Sequence, residues 1–127
     1  GASQYVQAAG LLHDAPEAYL GDVVSGLKRL LPGYRELEAR WSRRVAEHFD
    51  VHWDDGGRVQ REVKDADLRA RLSEVRDLFR EYPYPREELL GGEGNREPYD
   101  AVVVAQTPDE GEWAWLTRAR ELGLVVT

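Results

Sequence analysis

Cysteine and methionine are both absent from the 127 residues, and lysine occurs only twice, as Lys28 and Lys64. Without cysteine, disulfides and thiolate metal sites are excluded. No apolar run approaches the roughly 18 residues needed to span a bilayer, so no membrane partner is expected. No basic region precedes an apolar segment at the N-terminus, so no secretory signal is expected and a cytoplasmic location is the default. Positive charge is in deficit: 24 Asp and Glu against 17 Lys and Arg leave a net charge of −7. Long nucleic acids require clustered cations that displace counterions, and this balance argues against them. A small nucleotide stays compatible, because a divalent metal and a few local cations can hold phosphates. The chain begins Gly-Ala-Ser, and with no methionine it does not read as an intact translation product.

What remains is the composition of an ordinary globular protein, without repeats, long enough for one domain with a real core. Helical spacing dominates. Val6, Ala9, Leu12 and His13 predict a helix over residues 3–13, followed by short helical pieces and turns to Pro32-Gly33. A second helix is predicted from about Tyr34 to Phe49, with Leu37, Trp41 and Val45 as its stripe. An acidic loop, 50–57, leads to a long helix from about Arg58 to Tyr82. At roughly 100° per residue, Glu62, Asp65, Arg69, Ser73, Arg76 and Arg80 form its polar, solvent-facing sector. Val59 and Val63 lie on one apolar side, Leu68, Leu72, Val75 and Phe79 on another, which predicts a central helix. This separates two similar carboxylates. Asp65 falls in the solvent sector, within i+4 reach of Arg69, whereas Asp67 falls at the edge of buried surface and needs a partner. Residues 83–98 read as a loop, and Ala101–Ala105 as a strand or an extended strap. Thr107-Pro108-Asp109-Glu110 is a helix start with threonine as N-cap and glutamate at N3. The helix it opens runs to about residue 122, anchored by Trp113, Leu116 and Ala119. The fold class is all-α.

The densest chemistry lies in His13-Asp14-Ala15-Pro16-Glu17-Ala18-Tyr19-Leu20-Gly21-Asp22. Pro16 pushes its predecessor out of the α region, so the first helix ends near His13-Asp14. An imidazole and a carboxylate at such a turn can share one divalent cation. They also fit a plainer role, a helix-terminal histidine favoured by the dipole beside a turn aspartate. Glu17 and Asp22 are equally compatible with solvated surface acids, Asp67 with an arginine partner, and Lys28 with a surface role. His48 and His52 read as structural.

The ten-residue string, then Leu27-Lys28 and Val63-Lys64-Asp65-Ala66-Asp67-Leu68, resembles the HD-domain phosphohydrolases, in particular small bacterial and phage members similar to 5′-deoxynucleotidases and phage dATP triphosphohydrolases. The resemblance implies an HD-like helical bundle over residues 1–127. It implies that His13, Asp14 and Asp67 ligate a metal, that Glu17 is the catalytic glutamate, and that Asp22 lies near the substrate sugar or the attacking water. Lys28 matches a cation that reaches phosphate oxygens. The family carries a further metal-binding histidine upstream, whereas none of the twelve residues before His13 is histidine. The expectation is therefore a domain that is N-terminally incomplete relative to the family.

The chemistry follows from these residue types. A divalent metal activates water and neutralises phosphoryl charge, and mixed histidine and carboxylate ligation suits Mn, Fe, Co, Zn or Mg. The expected function is metal-dependent hydrolysis of nucleotide or deoxynucleotide phosphate esters. Its rival is a non-catalytic HD-like module that binds a nucleotide or a protein partner. A homo-oligomer is compatible with the tryptophans at 41, 113 and 115.

Overall fold

The computed structural model describes residues 2–83, 85–90 and 94–124. Seven helices occur among them: α1 (Gln4–Leu12), α2 (Glu17–Leu20), α3 (Ser25–Lys28), α4 (Pro32–His48), α5 (Arg58–Leu78), α6 (Arg86–Leu89) and α7 (Pro108–Glu121). No strand is present among the described residues, so the all-α class stands. No described helix is long and apolar enough to cross a membrane.

The core forms around α1, which is apolar on two adjacent faces. Val6 and Ala9 pack with Val59 and Val63 of α5, while Ala8 and Leu12 pack with Ala119 of α7 and with Leu124. Small side chains at Ala8 and Ala9 let α1 lie between these neighbours. Val45 and Phe49, at the end of α4, add to the second cluster, and Trp115 donates its indole N–H to the Leu11 carbonyl at 3.1 Å. A third cluster joins Leu68 and Leu72 of α5 to Leu89 and Leu90. Each buried leucine or valine contributes roughly 1.5–3 kcal/mol, a large share of a small domain's marginal stability.

Several expectations need correction. The segment 83–98 contains α6, whose Leu89 is drawn into the third cluster. Pro32-Gly33 opens α4 rather than preceding it, because proline suits a first helical turn where its missing N–H costs nothing. The long helix stops at Leu78, with Phe79 extended; four residues on, the Pro83 ring would collide with the Phe79 carbonyl in a continued helix. Phe79 and Leu78 are exposed. Ala119 anchors α7 as expected, but Trp113 is 69% exposed and Trp115 takes its place. The capping box of α7 is present, with Thr107 Oγ1 accepting from the Glu110 N–H and the Glu110 carboxylate accepting from the Thr107 N–H. Gly123 closes the helix with φ +76°, and the Leu124 N–H bonds back to the Ala119 carbonyl.

The polar sector of α5 is not left to water. Residues 96–103 run along it as an extended strap, tied down by α5 side chains that bond mostly to strap backbone. The Arg69 Nε–H donates to the Glu97 carbonyl, the Tyr99 N–H donates to Ser73 Oγ, and Arg76 donates to the carbonyls of Tyr99 and Ala101. Asp77 accepts a bidentate pair from Arg76 and the Val103 N–H. Asp65 pairs with Arg96 at 2.6 Å rather than with Arg69, whose guanidinium lies 4.2 Å from the Tyr99 ring centre. Ser73 is consequently 1% exposed.

The start of α5 is held in a similar way. Asp54 accepts from the Val59 and Gln60 N–H groups, two donors with no partner inside the helix. A Cβ at Gly57 would lie 2.1 Å from Asp54 Oδ2. Gly57→Ala is expected to displace this cap and destabilise the domain by about 1–3 kcal/mol, measured by urea unfolding.

The Arg76 guanidinium and the Val103 N–H hold the Asp77 carboxyl down to about 2, against an ordinary 3.8. A depressed folded value means that this stabilisation is present in full above 3.8 and is lost as the pH falls through about 2. Asp77→Asn is expected to lower the melting temperature at pH 7. It should also flatten the acid side of the stability profile, with the difference from the unaltered chain vanishing at the acid end.

Candidate metal centre

The seam between α1 and α5 ends in polar groups. The apolar face of α1, Val6 and Ala9, continues into His13, and that of α5, Val59 and Val63, continues into Asp67 at the next helical turn. His13 caps α1, and its Nδ1 lies 2.6 Å from the Gly10 carbonyl. A carbonyl only accepts, so Nδ1 carries the proton and donates. In the neutral ring Nε2 then bears the lone pair. Nε2 is buried without a hydrogen-bond partner. It faces two carboxylates, Asp14 Oδ1 at 3.1 Å and Asp67 Oδ1 at 3.7 Å. The second oxygen of Asp67 accepts from Arg71 Nη2 at 3.1 Å.

These separations bear on a shared ion. Two donors each about 2.1 Å from one cation stand about 3.0–3.4 Å apart at octahedral or tetrahedral angles. The Asp14 distance falls in that range, and Asp67 needs to close by a few tenths of an ångström. A buried imidazole nitrogen without a hydrogen-bond partner, facing carboxylate oxygens, is the donor chemistry that divalent metals take. Among the described residues, no group of three or more histidine or acidic side chains is placed so that it could hold a metal ion as it stands. Asp67 also has the arginine partner anticipated as its plainer role.

The electrostatics match the geometry. The facing Asp67 carboxylate raises the His13 pKa above its ordinary value, against burial and with help from Gly10 and Asp14. The same pairing with His13 lowers Asp67, assisted by Arg71. Glu17 is raised, first by burial and then by the negative charges of Asp14 and Asp22. Asp22 is exposed and acts on Glu17 through space.

Lys28 is not a free cation. Its ammonium donates to Glu38 Oε1 at 2.6 Å, lies 3.9 Å from Glu17 Oε1, and sits 5.6 Å from the Tyr34 ring centre. Glu38 escaped the sequence reading because it stands on a helix otherwise crowded with charge, and the helix spacing alone carries no sign of Lys28 across from it. The loop acids near His52 are committed elsewhere: Asp54 caps α5, and Asp55 accepts from the Trp53 indole.

The triad opens into a cleft of about 510 Å³ between α1, α4 and α5, lined also by Trp53, Glu38 and Lys64. Asp67 and Lys64 also line a second cleft further along the same helix, bounded by α3 and α6.

No protein-family model matches the chain, and no solved structure matches it. It is 38% identical over 68 residues to the uncharacterized protein YfdR of Escherichia coli. That alignment takes in 54% of this chain and 36% of YfdR, so the similarity spans about a third of the length of that relative.

Asp67→Asn is expected to lower the His13 pKa, because the strongest contribution raising it disappears while burial remains. Proton NMR titration of the imidazole reads this directly; an unmoved value would show that the two side chains do not face each other in solution.

Proposed function

We propose that this chain is a metal-dependent phosphohydrolase of the HD type, acting on nucleotide or deoxynucleotide phosphate esters. The observation that carries the proposal is the buried, unpartnered Nε2 of His13 between two carboxylate oxygens. His13, Asp14 and Asp67 would hold the metal, which when bound supplies Lewis acidity and activates water. The Gly10 carbonyl fixes the His13 tautomer, as partners of ligating histidines commonly do. Arg71 holds one Asp67 oxygen so that the other faces His13.

Glu17 is the general base. Burial and its acidic neighbours raise its pKa, which brings its proton affinity closer to neutral working conditions. Lys28 lies within 3.9 Å of Glu17 and can compensate negative charge that builds beside it. Asp22 adds to the field that keeps Glu17 basic.

A second reading, a non-catalytic module that binds a nucleotide or a protein, draws on the same site. His13 is the one histidine in the cluster, and cations already answer Asp67 and Glu38.

The test is a manganese titration by calorimetry with a phosphate-release screen over nucleoside mono-, di- and triphosphates. Asp67→Ala should cost at least about tenfold in metal affinity. Glu17→Gln should keep metal affinity and reduce turnover by about 10²–10⁴-fold. Nucleotide binding without metal binding or turnover would establish the second reading instead.

A further inference from the structure

The second cleft beside Asp67 has a composition at odds with the rest of the chain. In a protein of net charge −7, four cations line it, Arg29, Arg35, Lys64 and Arg71, against the acids Asp67, Glu87 and Glu88. Arg71 answers Asp67 at 3.1 Å and also donates to the Leu89 carbonyl at 3.3 Å. Arg29, just past the end of α3, and Arg35, in the first turn of α4, are exposed. Among the described residues their guanidinium groups have no hydrogen bond or ion pair. Among the described residues, two arginines from separate elements thus line this cleft without a protein anion, together with Lys64 and the candidate metal ligand Asp67.

The volume is about 760 Å³, within the range of small-molecule sites and far larger than one phosphate group fills. Guanidinium groups match phosphate oxygens in planar, bidentate pairs. A carboxylate ligand would bring one charge to several cations, whereas a chain of phosphates brings one or more per unit. A nucleic acid backbone would have to continue past Glu87 and Glu88 on α6 and across an acidic surface.

We propose that this cleft binds the condensed phosphate chain of a nucleoside di- or triphosphate, through Arg29 and Arg35, beside the metal centre rather than through it. The placement next to a reacting centre rests on the phosphohydrolase reading. The anion affinity does not, and can be measured alone.

The experiment uses the full chain stripped of metal with a chelator and dialysed. Inorganic triphosphate, orthophosphate, a nucleoside triphosphate and the matching monophosphate are titrated by calorimetry. Triphosphate is expected to bind at least about tenfold more tightly than orthophosphate, with affinity falling as salt is added. Arg29→Ala/Arg35→Ala should lower triphosphate affinity by about tenfold or more without moving the melting temperature, since neither side chain holds the fold. Glu87→Gln/Glu88→Gln should strengthen it. Equal affinity for triphosphate and orthophosphate, or an unaltered affinity in the arginine double variant, overturns the proposal. Tighter binding of the nucleoside triphosphate than of inorganic triphosphate supports a nucleoside-borne chain, and equal binding overturns that assignment. Manganese affinity of the arginine double variant should match that of the unaltered chain. Absence of manganese binding in both would defeat the phosphohydrolase reading while leaving the triphosphate result intact.

Discussion

The close packing of α1 on α5 is the constraint on which the remainder depends. Val6 and Ala9 meet Val59 and Val63, and this apolar seam fixes both the rotation of each helix and their mutual height. One further turn along each face, the residues are His13 and Asp67 instead of further hydrophobes. The hydrophobic effect is non-directional, yet here it delivers two polar atoms to within 3.7 Å of one another. A change in the size of Ala9, 1% exposed in the seam, would tilt the helices and move the imidazole away from the carboxylate.

An imidazole held between two carboxylates has two ways to be satisfied. Protonated, it is the cation of an internal ion pair; deprotonated, it offers a lone pair to an external cation. Proton and metal therefore compete for the same nitrogen, and binding of one requires release of the other. The raised His13 and lowered Asp67 values describe the first state. Arg71 and Lys28 play an analogous part nearby, each neutralising an acid that burial would otherwise penalise.

Local signals in the sequence were the legible ones. The Thr107–Glu110 capping box and the end of α1 at the His-Asp pair follow from signals within one stretch of chain, and both appear in the fold; Asp67, expected to need a partner, has His13 and Arg71. What lay hidden depends on segments far apart in the chain. The stripe Asp65, Arg69, Ser73 and Arg76 looks like a solvated face because its partners lie about 23–31 residues on and, apart from the Arg96 side chain that meets Asp65, are main chain, which leaves no mark in a sequence. Trp113 and Trp115 differ by two positions and therefore by about half a turn, so only one of the two rings can face the core, and two tryptophans so close in the sequence do not say which. The pairing of Lys28 with Glu38 arises because α3 folds back on α4, a turn direction that spacing does not encode.

The strap along α5 has a lopsided dependence on side-chain identity. Its carbonyls and amides make most of the bonds, while the Val102 side chain is left 73% exposed. Any residue other than proline supplies the same amide, and any residue at all the same carbonyl. The helix, by contrast, must keep an arginine, a serine and an aspartate at fixed intervals. Apart from Arg96 and Tyr99, the covering segment is thus held through atoms that nearly every residue carries, whereas the surface beneath it depends on particular side chains, so an exchange in the helix should loosen the contact more than one in the strap.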